Sequence, residues 1–142
     1  MPARIWEASA GRALVLLLEK GDDLLAEVER ICAEYEIGVA WVSAIGAVQR
    51  ASFGYYQQGP QSYVEMTSDQ HTMLNGFVGN ISMADGRPFL HAHATFSAVD
   101  GSNVGGHLLP GCEVFAVEVT IREMTGLELD RTPDEVTGLP LW

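Results

Sequence analysis

Residues 88–96 read Pro88-Phe89-Leu90-His91-Ala92-His93-Ala94-Thr95-Phe96, and their alternation decides how the rest of the chain is read. Leu90, Ala92, Ala94 and Phe96 fall on every second position, so in an extended segment they share one apolar face. His91 and His93 then leave the opposite face together. Such a strand keeps one face for a core and frees the other for chemistry.

Working outward, residues 12–18, 39–45, 48–56, 72–83 and 113–122 are further β-branched or aromatic runs punctuated by Gly, Pro and Asp-Gly. With residues 88–97 they predict six strands, and Asp85-Gly86 and Asp100-Gly101 are turn dipeptides that join antiparallel neighbours. One helix is clear after Gly21, where Leu24, Leu25, Val28, Ile31, Cys32 and Tyr35 form a single apolar stripe. Asp22 or Asp23 can cap its start, and Gly38 can sit left-handed beyond its end. The fold class is α+β, a helix lying across a largely antiparallel sheet.

The 142 residues favour one domain. We divide them into an N-terminal extension (1–10), a continuous domain (11–122) and an acidic C-terminal extension (123–142) that docks through Leu127, Leu129, Leu139 and Trp142. Hydrophobic residues make up 47% and the mean hydropathy is +0.09, which excludes a disordered chain. Eight Lys and Arg against 19 Asp and Glu give a net charge of −11, which repels phosphate backbones and anionic lipid. The apolar run from Ala13 to Leu18 is too short for a membrane span or a signal segment. Cys32 and Cys112 form no CxxC pair, so a soluble, unprocessed, cytoplasmic protein is expected.

Three of the four histidines are grouped: His91, His93 and His107, the last following Gly105-Gly106. A glycine-hinged turn could bring His107 to the pair, and three neutral imidazoles leave a tetrahedral zinc one open position. The alternative is that these rings hydrogen-bond backbone and carboxylate groups within the sheet or at a subunit contact. His71 reads as exposed, or as a fourth ligand. Glu65 and Glu113 are the carboxylates that could serve a metal as general base, whereas Asp85 and Asp100 are explained by their turns. Cys32 and Cys112 read as small core residues. Trp41 reads as core or interface packing. Gly86-Arg87-Pro88 has the core of a minor-groove AT-hook but sits between two strands without flanking basic residues.

These residues carry a resemblance. Gly21-Asp22-Asp23-Leu24, Val42-Ser43-Ala44-Ile45-Gly46-Ala47-Val48, Gly79-Asn80-Ile81-Ser82, the block from Asp85 to His93, and Gly105-Gly106-His107-Leu108-Leu109 resemble the PPC (plant and prokaryote conserved) domain family over about residues 11–122. The resemblance implies a mostly antiparallel β-sheet with flanking helices, assembled as a homotrimer, with His91, His93 and His107 gathering a divalent metal such as zinc. The chain departs from plant relatives at Met73, where they carry an acidic residue. Surplus apolar strand residues, including Phe53, Tyr55, Phe77, Phe96 and Phe115, are a further reason to expect self-assembly.

Three functions follow as expectations. The first is a trimeric metal-binding module for assembly or regulation that takes a small anionic ligand. The second is a metal-dependent hydrolase or lyase. The third, DNA binding, is disfavoured by the net charge and by the lack of a separate AT-hook.

Overall fold

The computed structural model describes residues 2–142. Seven strands form one antiparallel sheet: β1 (Ser9–Leu18), β2 (Ala40–Gln57), β3 (Ser62–Ser68), β4 (Thr72–Ala84), β5 (Arg87–Ser97), β6 (Asn103–Leu108) and β7 (Glu113–Thr125). Two short strands, β8 (Thr132–Pro133) and β9 (Pro140–Leu141), make a separate hairpin. Among the described residues there is one helix, α1 (Leu24–Glu34), where flanking helices were expected. That helix buries Leu24, Val28, Ile31 and Cys32, each worth roughly 1.5–3 kcal/mol for the larger side chains. No described helix is long and apolar enough to cross a membrane.

The order β1-β7-β2-β4-β5-β6 would leave β6 at an edge, but β6 also pairs with β2, which closes a ring of β2, β4, β5 and β6. Residues 39–45 and 48–56, expected as two strands, run together in β2. The chain passes Gly46 in a register shift where a Cβ would collide with Ala116's carbonyl oxygen. Inward side chains such as Phe53, Leu74, Ala92, Ala94, Phe96 and Leu108 fill the core with the helix stripe. Three of the aromatics expected to be surplus, Phe53, Phe77 and Phe96, are therefore core residues. The apolar side chains left bare include Val15, Leu17, Ile45, Met73, Val78 and Phe115, and Trp41 is half exposed, outside the core.

The helix ends were read partly correctly. Asp23 is the N-cap, accepting from Ala26 N–H through Oδ1 while its Oδ2 accepts from Gly111 N–H. At the other end Glu36, not Gly38, takes the left-handed conformation at φ 55°. Glu36 N–H reaches Ala33's carbonyl and Ile37 N–H reaches Cys32's, the paired bonds of a Schellman cap, with Ile37 buried beneath. The helix is pinned to the sheet by Glu29, whose carboxylate accepts Leu90 N–H at 2.9 Å, one residue from His91.

Candidate metal centre

On β5 the alternation holds. Leu90, Ala92, Ala94 and Phe96 are buried, and His91 and His93 project from the outer face. His107 does not arrive from a turn. It lies on β6, directly opposite His93 in the β5–β6 register, so its ring leaves the same face by strand pairing alone. The preceding glycines serve close approach, because a Cβ on Gly105 would collide with Ala94's carbonyl oxygen and one on Gly106 with Gly54's.

The three rings converge, with one ligand atom from each lying within 4.8 Å of the others. His91 Nε2 and His93 Nε2 are 3.3 Å apart. Two ligands about 2.0–2.1 Å from zinc at a tetrahedral angle are separated by roughly 3.3–3.4 Å, so this pair already has the spacing the ion needs. Among the described residues the only polar partner of the His91 and His93 rings is each other, and the buried Nδ1 of His107 has no hydrogen-bond partner. That geometry opposes the alternative in which backbone and carboxylate groups within the sheet hold the histidines. An unsatisfied buried nitrogen is costly, and ligation would relieve it.

Electrostatics favour the neutral form at His91 and His107. Burial, then the charges of His107, Arg131 and His93, pushes the His91 imidazole down to about 4, and burial followed by the charges of His93 and Arg131 lowers His107. Neutral imidazole is the metal-binding form. The donor set therefore fits a divalent ion with three protein ligands and an open position.

The surrounding wall comes from elsewhere in the chain. A cavity of about 550 Å³ adjoins the histidines. Tyr56 and Tyr63 pack beside it in a tilted pair with ring centroids 5.0 Å apart, and the Tyr63 ring lies 4.9 Å from the His107 ring. Phe89 and residues 139–141 complete its apolar side, with Arg131 between them. None of these residues was singled out as part of a histidine site. The one signal was that Arg131 is the sole basic residue in the acidic stretch after residue 123.

The other candidates separate cleanly. His71 is exposed and lies outside the cluster, which removes it as a fourth ligand. Glu113 pairs with Arg50, four residues along β2 from Gly54, the residue opposite His107. At about 3.3 Å per residue this puts it some 13 Å away along the sheet. Glu65 faces Gly54 from the other edge of β2, so it shares a transverse row and a face with His107 and His93. Asp85, at φ 50°, and Asp100, which accepts from Ser102, are turn residues. Arg87 and Pro88 open β5, which gives the Gly-Arg-Pro triplet a turn-and-strand role. Cys32 and Cys112 are buried, and burial pushes both thiols up to about 12.

Comparison with known proteins agrees with this architecture. A metal-containing protein of Archaeoglobus fulgidus is 38% identical, with 99% of each chain covered and a TM-score of 0.94. A plant- and prokaryote-conserved (PPC) protein of Pyrococcus horikoshii is 30% identical, with 99% of this chain and 96% of that chain covered and a TM-score of 0.93. A bifunctional protein GlmU of Synechococcus sp. is 29% identical over 125 residues. That match takes in 87% of this chain, which spans only 18% of the relative's length. The family model of the Plants and Prokaryotes Conserved (PCC) domain matches residues 6–125, and the chain belongs to that family.

Proposed function

We propose that the chain is a cytoplasmic, homotrimeric metal-binding module in which His91, His93 and His107 hold a divalent ion and present its open position to a small anionic ligand. The convergence of three imidazoles without a carboxylate or backbone partner carries this reading. Three nitrogen ligands in a tetrahedral arrangement suit zinc. The metal-containing A. fulgidus relative adds support. A bound zinc supplies a Lewis-acidic position that polarises an oxygen ligand. The chain's own part is to orient the three rings, to favour the neutral form of His91 and His107, and to exclude water from one side with Tyr56, Tyr63 and Phe89. Trimerisation through the bare outer face of β1, β2, β4 and β7 would bury Val15, Leu17, Ile45 and Met73.

Elemental analysis of protein purified without a nickel column tests the metal reading. About one zinc per chain is expected, and protein that neither retains nor takes up a divalent ion overturns it.

A second reading, a metal-dependent hydrolase or lyase, is favoured by the shared row of Glu65, Gly54, His107 and His93. Glu65 would be the general base. Turnover of an ester or lyase substrate that survives Glu65→Gln removes that role. DNA binding is opposed by the charge of −11. A mixed duplex that gives no anisotropy change at low salt closes it.

A further inference from the structure

Beyond the histidines, the cavity holds one ionised side chain, Arg131, and its surroundings are unusual for a guanidinium. Its Nε donates to Ser82 Oγ at 2.7 Å, Nη1 to Pro140's carbonyl at 2.9 Å and Nη2 to Asn80 Oδ1 at 3.0 Å. All three acceptors are neutral, and among the described residues Arg131 makes no ion pair. Three bonds use three of the five N–H groups of a guanidinium, leaving two unclaimed. The group is also clamped between rings, 5.2 Å from Phe89 and 6.0 Å from Trp142. A fixed, half-buried cation without a counter-ion in a chain of net charge −11 has the chemistry to receive an anion.

Its position relative to the histidines follows from register. Asn80, which receives the Nη2 bond, lies directly opposite His91 in the β4–β5 pairing. Arg131 is therefore bonded to the strand next to His91 and lines the same cavity as the cluster. Apart from Gln58, the rest of that lining is apolar or aromatic, and it contains no carboxylate. A volume of about 550 Å³ suits a small organic molecule.

We propose that Arg131 is the anion-recognition residue of this site, and that the ligand class is a small organic monocarboxylate whose apolar body lies against Tyr56, Tyr63, Phe89 and Leu139. This deepens the reading of the histidine cluster as a metal site and names the ligand that both groups would share. The carboxylate meets the guanidinium at one side and the metal's open position at the other. The matched family domain ends at residue 125, so recognition is supplied by the segment that follows it. Glu128, Asp130, Asp134 and Glu135 surround Arg131 in sequence, yet none pairs with it, which keeps its charge available to a ligand.

The test is isothermal titration of benzoate, benzamide and inorganic phosphate into the full-length protein, in zinc-loaded and chelator-treated forms. Benzoate is expected to bind, and its neutral isostere benzamide to bind at least about tenfold more weakly, as loss of a charge-assisted pair requires. Arg131→Gln should weaken benzoate about tenfold to a hundredfold with zinc stoichiometry unchanged, and Arg131→Lys should recover part of that loss. Equal binding of benzamide and benzoate, phosphate binding in place of benzoate, or no benzoate binding to zinc-loaded protein overturns the proposal. Because Arg131→Gln could loosen the C-terminal segment, the benzamide comparison on unaltered protein stands on its own. Arg131-dependent benzoate binding by protein that takes up no zinc would defeat the metal reading and leave this site standing.

Discussion

At the end of the outer face where His91 and His93 stand, the chain's own last residues wall the surface in with Arg131 and residues 139–141. Across β1, β2 and β4 the same face is open, and Val15, Leu17, Ile45 and Met73 are each more than half exposed. The two ends are continuous. Val15, Thr120, Ser43, Val78, His93 and His107 lie on one transverse row through five pairings. The difference lies in what each end lacks. The walled end has unsatisfied polar groups and space for a small molecule, whereas the open end has aliphatic area that a second protein surface can cover. One sheet thus divides chemistry from assembly.

The largest expected effect breaks the walled end. Replacing His91, His93 and His107 together with Ala should lower zinc affinity by more than about 100-fold, since even outer-shell changes reach that range. Metal content and the loss of any zinc-dependent rise in Tm are the measurements. The open end should keep its oligomeric mass in that variant, so a collapse to monomer would show that the two ends are not separable.

Next in size is Leu129→Ala. Leu129 is buried, and its carbonyl accepts Met83 N–H while Met83's carbonyl accepts Arg131 N–H. Large-to-small changes at such sites cost about 2–5 kcal/mol. Here the loss should appear as faster hydrogen exchange over residues 127–142, with zinc stoichiometry intact. Uniform acceleration across β2 and β7 would mean that the segment is no separate unit.

Ile45→Glu attacks the open end. An unpaired carboxylate in an apolar contact should weaken self-association by more than about tenfold, read as a mass shift in light scattering. Unchanged mass would move the assembly surface elsewhere.

Two smaller effects depend on pH. His91 binds a proton near 6.5 when unfolded but only near 4 in the folded site. Between those values the unfolded chain takes up the proton that the native state refuses, so metal-free protein should lose stability as pH falls through that window. His91→Ala should flatten the slope of Tm against pH there. At the other end of the sheet, hydrogen bonds from Arg12 hold the Glu123 carboxyl down to about 2 against an ordinary 4.5. That contribution is complete above the ordinary value and fades as pH drops from about 4.5 toward 2. Arg12→Gln should raise the acid midpoint slightly, because the ion pair is half exposed.

How much of this was legible varies with the kind of signal. The β5 alternation and the α1 stripe were readable because period and burial coincide residue by residue. Strand β6 was not. Asn103-Val104-Gly105-Gly106-His107-Leu108 carries two glycines that weaken any strand reading, and their purpose, close approach to Ala94 and Gly54, exists only once β2, β5 and β6 are together. His107 was thus assigned to the right cluster by the wrong route. Glu36 replaced Gly38 as the left-handed residue because the buried Ile37 and its bond to Cys32 stabilise a conformation that Glu seldom takes unaided. Arg131 was passed over as one charge in an acidic tail, since a cation's worth depends on what does not pair with it.

What sequence alone determined is the identity of the histidine pair and the side from which it leaves, because a strand's period of two is local geometry. It also determined the net acidic charge and the apolar stripe of α1. The tertiary structure decided which residues join that pair: His107 through register with His93, Glu65 through register with Gly54, and Arg131 through a segment some 40 residues downstream that folds back over β4. Those meetings are set by hydrogen-bond pairing and burial between distant segments, and no window of sequence contains both partners.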